Sequence, residues 1–110
     1  MPLNIQATKE VVTVFLNGEI DHHSAKSIRE EIDAAIEFNM PSLLALDFGG
    51  VTFMDSSGIG LVMGRFRNLQ KNKAELTLIN LPPNIYKVMK LSGIERLAKI
   101  EKEKSYETNK

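Results

Sequence analysis

The feature that most restricts the fold of this chain is a nearly unbroken apolar run from Leu43 to Phe48, in which Asp47 is the one polar residue. The run has the length of a strand, and its composition is typical of a strand that is covered on both faces, as in a parallel sheet. Helical patterns precede and follow it. The run therefore predicts the central strand of a domain in which strands alternate with helices.

The residues before this strand predict a hairpin. Leu3 to Ala7 alternates apolar and polar side chains, and Val11 to Leu16 is rich in β-branched residues. The polar residues between them suit a turn, so the two strands are expected at one edge of the sheet. Asn17 and Gly18 are expected to end the second strand.

The first helix is predicted from isoleucines that recur every four residues, at positions 28, 32 and 36, and so share one buried stripe. Asp21 or Ser24 is expected to cap its start, because an aspartate or serine oxygen can accept a hydrogen bond from a free amide of the first turn. The helix is expected to end near Met40, because the proline at position 41 disfavours helical geometry in the residue before it.

The second half of the chain continues the alternation. Its predicted elements are a helix beginning at Asp55, Ser56 and Ser57, a strand over Leu76 to Leu81, a short helix between Pro82 and Gly93 with apolar positions 85, 88 and 89, and a strand over Ala98 to Ile100. Residues 1–110 are thus predicted to form a single α/β domain with a mixed open sheet of four to five strands, in which an N-terminal hairpin precedes parallel strands, and with three to four helices. Polar residues 101–110 favour a disordered or short-helical tail.

Composition excludes several classes of function. The 14 basic residues balance the 14 acidic ones, so no net positive field favours nucleic acid or a membrane surface. The chain has no cysteine, which rules out disulfides, thiolate catalysis and cysteine-ligated zinc. No segment has the length of a membrane span, and the first residues lack the pattern of a signal peptide. A cytoplasmic protein is the expectation.

Three patterns suggest other chemistry, and each departs from its type. Gly58, Gly60 and Gly64 lie near a helix start, but a dinucleotide site needs its glycines directly after the first strand, so close packing is favoured instead. The Asp-His-His sequence at positions 21–23 could be a metal fragment, yet three consecutive side chains rarely converge on one ion. The G-x-S-x-G pattern of many hydrolases is absent. We therefore expect no cofactor and no metal.

The loop formed by Asp55, Ser56 and Ser57 is the predicted functional site. It follows the predicted central strand after two glycines and a short stretch from Val51 to Met54, and it opens a helix. In open α/β sheets, ligands and partners meet the loops at the carboxyl ends of the strands. Aspartate and serine are also common helix caps, so a purely structural role is the alternative.

Residues 18–25, residues 53–60 and the Gly64-Arg65-Phe66 sequence resemble the anti-sigma-factor antagonists of the STAS-domain family, most closely the sporulation type. The likeness extends from the first strands to about Ile100. The Asp-Ser-Ser-Gly loop is moderately specific for the family, and the Asp-His-His and Gly-Arg sequences sharpen the match. Polar residues 101–110 depart from it, because the family's last helix is amphipathic.

The resemblance implies a protein with no catalysis of its own. Its unphosphorylated form would bind an anti-sigma factor that is also a serine kinase and so release the sigma factor. The kinase would phosphorylate Ser56, and a PP2C-type serine phosphatase would reverse the modification. The partner contacts implied by the resemblance are Asp21, His22, Asp55, Ser57, Gly58, Ile59 and Gly60.

Three alternatives stay open at this stage. A constitutive binding module would use the same loop without phosphorylation. A nucleotide sensor would use the start of the helix to hold phosphate groups, because free amides at a helix start favour anions. A serine hydrolase is the least supported, because only His22 or His23 could act as its base.

Overall fold

The computed structural model describes residues 3–103 as one five-stranded sheet with helices between its parallel strands. The elements are β1 (Leu3–Ala7), β2 (Val11–Ile20), α1 (His22–Asn39), β3 (Leu43–Met54), α2 (Ser56–Gln70), β4 (Glu75–Leu81), α3 (Pro83–Ser92), a 3-10 turn (Ile94–Arg96) and β5 (Lys99–Lys102). β1 is antiparallel to β2, and each later pair of neighbours is parallel. The predicted fold class is confirmed.

The order of the strands in the sheet is their order along the chain, so β3 is central and β1 is an edge, as predicted. The core combines alternate strand residues with the buried faces of all three helices. Its fully buried side chains include Leu16, Leu44, Leu46, Phe48 and Leu78 from strands, and Ile28, Ile32, Leu69, Ile85 and Met89 from helices. The isoleucine stripe of α1 is buried as predicted. Val88 of α3 is not, since it faces solvent while its neighbour Met89 takes the core position.

The second and third strands are longer than predicted. Asn17 and Gly18 do not end β2. The strand continues past a left-handed Gly18 (φ 77°), and its register with β3 shifts twice, between Phe15 and Asn17 and between Gly18 and Glu19. β3 likewise continues through its two glycines to Met54. β3 pairs with β4 only as far as Asp47, whereas it pairs with β2 as far as Met54. We call these paired ends, residues 17–20 and 50–54, the extension.

The boundaries of three other elements also refine the predictions. α1 begins after Asp21, so Asp21 is the cap of the two expected candidates, because it has the extended backbone of a capping residue and Ser24 lies within the first turn. α1 ends at Asn39, followed by a left-handed Met40, and α3 ends before Gly93, as predicted. β5 reaches Lys102, so the first residues assigned to a tail are strand. The rest of that predicted tail lies outside the described residues.

No helix within residues 3–103 combines the length and the apolar character needed to cross a membrane.

Candidate functional site

Two turns lie side by side at the carboxyl edge of the sheet, and each contains the aspartate that caps the following helix. We call residues 21–24 the Asp21 turn and residues 55–58 the Asp55 turn. Ile20, the last residue of β2, pairs with Met54, the last residue of β3. The amide of Asp55 donates a hydrogen bond to the carbonyl oxygen of Ile20 at 3.1 Å. The extension therefore brings the Asp21 turn and the Asp55 turn together, as required if both belong to one site.

The Asp21 turn is closed by reciprocal hydrogen bonds. Oδ1 of Asp21 accepts from the amides of His23 (2.9 Å) and Ser24 (3.0 Å). Oγ of Ser24 accepts from the amide of Asp21 at 3.0 Å, which completes a capping box, and donates to the carbonyl of Glu19 at 3.0 Å. The amide of Ser24 lowers the pKa of Asp21, assisted by the amide and charge of His23. The two histidine rings are exposed and lie edge to face.

The Asp55 turn has the same extended backbone and a sparser set of bonds. Oδ1 of Asp55 accepts from the amide of Ser57 at 2.8 Å, and the carbonyl of Asp55 accepts from the amide of Gly58 at 3.0 Å. Position 58 corresponds to Ser24 of the first turn, but glycine has no side chain with which to complete a capping box. The second turn is therefore capped once.

Ser56 and Ser57 are the first two residues of α2, so both lie in its first turn. Ser56 is exposed and Ser57 is half-buried. Among the described residues neither serine hydroxyl makes a hydrogen bond, so the two differ in exposure and in the backbone bond that Asp55 accepts from Ser57. The hydroxyl of Ser56 is thus accessible and unengaged at a helix start, where backbone amides favour a negative charge.

The three residues after the serines differ in environment. Gly58 is buried, and a Cβ added there would collide with Cγ and Sδ of Met54. Ile59 is half-buried against the core, and Gly60 is exposed with no atom within 4 Å of an added Cβ. Close packing against Met54 explains why position 58 is a glycine, while Gly60 leaves the backbone of α2 exposed on the surface. The partner contacts assigned to these three residues remain predictions.

The Gly-Arg sequence joins the two helices that carry the turns. Nε of Arg65 on α2 lies 2.8 Å from Oδ1 of Asp33 on α1, and that oxygen also accepts from Nδ2 of Asn68 at 2.9 Å. The Arg65 side chain is only 7% exposed, and this burial lowers the pKa of its guanidinium. Asp33 and Arg65 therefore tie α1 to α2 within the helix layer.

The site gives little support to metal or hydrolytic chemistry. Within residues 3–103, no three histidine, cysteine, aspartate or glutamate side chains are arranged to hold a metal ion. Ser56 has no hydrogen bond to His22 or His23 in that same part of the chain. What the geometry offers is an exposed hydroxyl in a shallow surface shared by two turns.

Two residues of the extension were not singled out from the sequence. Glu19 and Phe53 are paired across β2 and β3, and both are exposed. They lie two residues before Asp21 and Asp55, so they belong to the same edge. Their pairing follows a register shift between Gly18 and Glu19 at which β3 contributes one extra residue, and no local sequence pattern reveals the register that such a bulge produces.

Comparison with known proteins agrees with this geometry. The chain is 41% identical over 87 residues to the anti-sigma F factor antagonist of Lysinibacillus sphaericus, covering 79% of this chain and 74% of that protein. The structure of SpoIIAA, an anti-sigma factor antagonist in its unphosphorylated form, has 35% sequence identity and a TM-score of 0.79, covering 89% of this chain and 86% of that one. The structure of Bacillus SpoIIAA in its phosphorylated form has 35% sequence identity and a TM-score of 0.71, covering 89% of each chain. Residues 2–106 match the STAS domain, and the chain therefore belongs to the STAS-domain family.

Proposed function

We propose that this protein is an anti-sigma-factor antagonist switched by phosphorylation of Ser56. Its unphosphorylated form binds an anti-sigma factor that is also a serine kinase and frees a sigma factor in the cytoplasm. Phosphorylation ends binding, and a PP2C-type phosphatase restores it. The observation that carries the proposal is the exposed, unengaged hydroxyl of Ser56 at the start of α2, beside Asp55. Relatives named as anti-sigma factor antagonists support it, as does SpoIIAA, whose structure is known in both forms.

The fold can accept the modification. A phosphate adds about 1.5 to 2 negative charges and three acceptor oxygens. At Ser56 these oxygens lie next to the amides and positive dipole end of α2, which favour an anion. Because Ser56 is exposed, no core side chain has to move. The unfolding free energy should therefore change little.

The partner surface responds differently. A kinase that modifies Ser56 must place the terminal phosphate of ATP and its catalytic carboxylate close to the serine oxygen. After transfer, the phosphoserine faces the remaining nucleotide phosphates and that carboxylate, and Asp55 adds a further negative charge. Close like charges cost several kcal/mol. A loss of about 2.8 kcal/mol would already weaken binding roughly a hundredfold.

The decisive test is reconstitution with the purified anti-sigma kinase and ATP. Wild type and Ser57→Ala should each incorporate one phosphate per chain, located by peptide mass spectrometry at position 56. Ser56→Ala should incorporate none and should still bind the ADP-loaded kinase, as measured by calorimetry. Undiminished labelling of Ser56→Ala would overturn the assignment. Binding by wild type without any labelling would instead indicate a constitutive module.

A further inference from the structure

We propose that Phe53 is the aromatic anchor of the docking surface, and that the partner receives it in an apolar pocket bordered by basic side chains. The proposal rests on the proposed function, because the occupant it names is the anti-sigma kinase. It adds a contact on the strand side of the site, whereas the contacts described above lie on the two turns and α2.

Phe53 is an exposed large apolar side chain that lies within the extension. Its side chain is 49% exposed, although its strand neighbours Val51 and Met54 are buried in the core. A fully buried aromatic side chain removes roughly 150 to 250 Å² from water. The domain already covers about half of Phe53, so a partner could bury the other half. Energetically dominant interface residues are commonly aromatic or arginine.

The position of Phe53 makes it continuous with the turns. It lies two residues before Asp55 and is paired with Glu19, which in turn precedes Asp21 by two residues. Two residues of strand span roughly 7 Å. A partner large enough to cover Ser56 and the Asp21 turn would therefore also reach Phe53.

The charge of this edge identifies the chemistry of the pocket's border. Segments 10–25 and 46–64, which contain the extension and both turns, have no lysine or arginine. Glu19 is paired with Phe53, and Asp21 and Asp55 directly follow the paired ends of the same two strands. Complementary potentials across an interface guide association and favour the correct register. Basic side chains facing Glu19 and Asp21 fit this field, while the nucleotide phosphates lie against Ser56.

The structure provides a matched control. Phe38 is 88% exposed and lies near the far end of α1, about 24 Å along the helix from its first residue. Replacing either phenylalanine with alanine removes the same atoms from an exposed position. Only Phe53 is at the proposed surface, so the two variants separate a specific contact from a general loss of apolar area.

The experiment is calorimetric titration of the full chain with the ADP-loaded anti-sigma kinase, beside a thermal melt of each variant. Phe53→Ala should raise Kd at least about tenfold, whereas Phe38→Ala should stay within about twofold of wild type. Phe53→Tyr should retain most of the affinity, because it keeps the ring. Glu19→Gln should weaken binding less and reduce its dependence on salt.

The outcomes separate this inference from the proposed function. If Phe53→Ala binds like wild type while Ser56→Asp binds more weakly, the anchor is refuted and the switch stands. If wild type itself does not bind the kinase, the proposed function fails. Weaker binding by Phe53→Ala together with a lower melting temperature, and no recovery in Phe53→Tyr, would assign Phe53 a structural role and overturn the inference.

Discussion

The Asp21 turn and the Asp55 turn share the same backbone arrangement, but the Asp21 turn is closed by more hydrogen bonds. Each joins the end of a parallel strand to a helix through an aspartate with extended backbone. Three residues after Asp21 comes Ser24, whose hydroxyl oxygen accepts a hydrogen bond from the amide of Asp21. At the same place in the second stands Gly58, packed against Met54. The first turn satisfies its own polar groups, whereas the second leaves a hydroxyl and part of its helix start available.

The difference suggests how the modification site that we propose at Ser56 fits a stable fold. A serine whose oxygen already serves the backbone would have to give up that bond in order to be phosphorylated. Ser56 has no such bond to lose, because Asp55 alone caps α2. The neighbouring Asp21 turn is held by its own hydrogen bonds. One surface can therefore combine a hydrogen-bonded turn with a turn whose serine hydroxyl is free to react.

The largest effect is expected when charge is added to the open turn. Ser56→Asp should weaken binding to the ADP-loaded kinase roughly tenfold, less than we expect for phosphate, because it supplies one charge instead of nearly two. Its melting temperature should stay near that of wild type, since an acid at a helix start is tolerated. Calorimetry and a thermal melt measure both. Unchanged affinity would contradict the electrostatic mechanism.

A second substitution attempts to close the open turn. Gly58→Ser places at this position the residue type found at Ser24, but its Cβ collides with Met54. Crowding of this kind costs about 1 to 3 kcal/mol, which exceeds the gain from one capping bond. Urea unfolding should show the loss. Gly60→Ser is the control, because it has open space around it, and equal stability of the two variants would mean that Met54 moves aside without cost.

The reverse substitution opens the closed turn. Ser24→Ala removes the hydrogen bond from the amide of Asp21 and the bond to Glu19. The free energy of unfolding should fall by about 1 kcal/mol. Ser57→Ala, whose side chain makes no hydrogen bond among the described residues, should change it by less. Equal losses in the two variants would remove the distinction between the turns.

The smallest effect concerns the charge of Asp21. Its pKa is lowered in the folded state by the amide of Ser24. The charged carboxylate therefore adds stability above the pKa it has in the unfolded chain, near 4, and this contribution is lost as pH falls through the folded-state value. Asparagine caps helices nearly as well, so Asp21→Asn should be slightly less stable at pH 7 and equal to wild type at low pH. A gap that persists in acid would contradict the cause given.

Much of the fold could be predicted because local patterns and packing agree. The apolar run at Leu43, the isoleucine stripe of α1 and the glycine at position 93 each predict what the structure contains. The start of α2 at Asp55 was predictable for the same reason, since a cap residue directly precedes an amphipathic pattern.

The rest depends on tertiary contacts. Asp21 and Ser24 are both good capping residues, and the choice between them depends on where β2 ends. That end lies beyond a left-handed Gly18, at which a turn was expected. The pairing of Glu19 with Phe53 follows the register shift between Gly18 and Glu19. The exposure of Val88 depends on how α3 rotates against the sheet, which the spacing of three apolar residues does not determine.

The tie between Arg65 and Asp33 has a kinetic consequence. Because it joins α1 to α2, the partner meets a surface that is already assembled and need not be ordered on contact. Association rates should then be nearly the same for the phosphorylated and unphosphorylated protein, apart from long-range charge effects. The switch would instead act on how long the complex lasts, as most affinity changes within one interface do. Phosphorylation would shorten the residence time and leave the encounter largely unaltered.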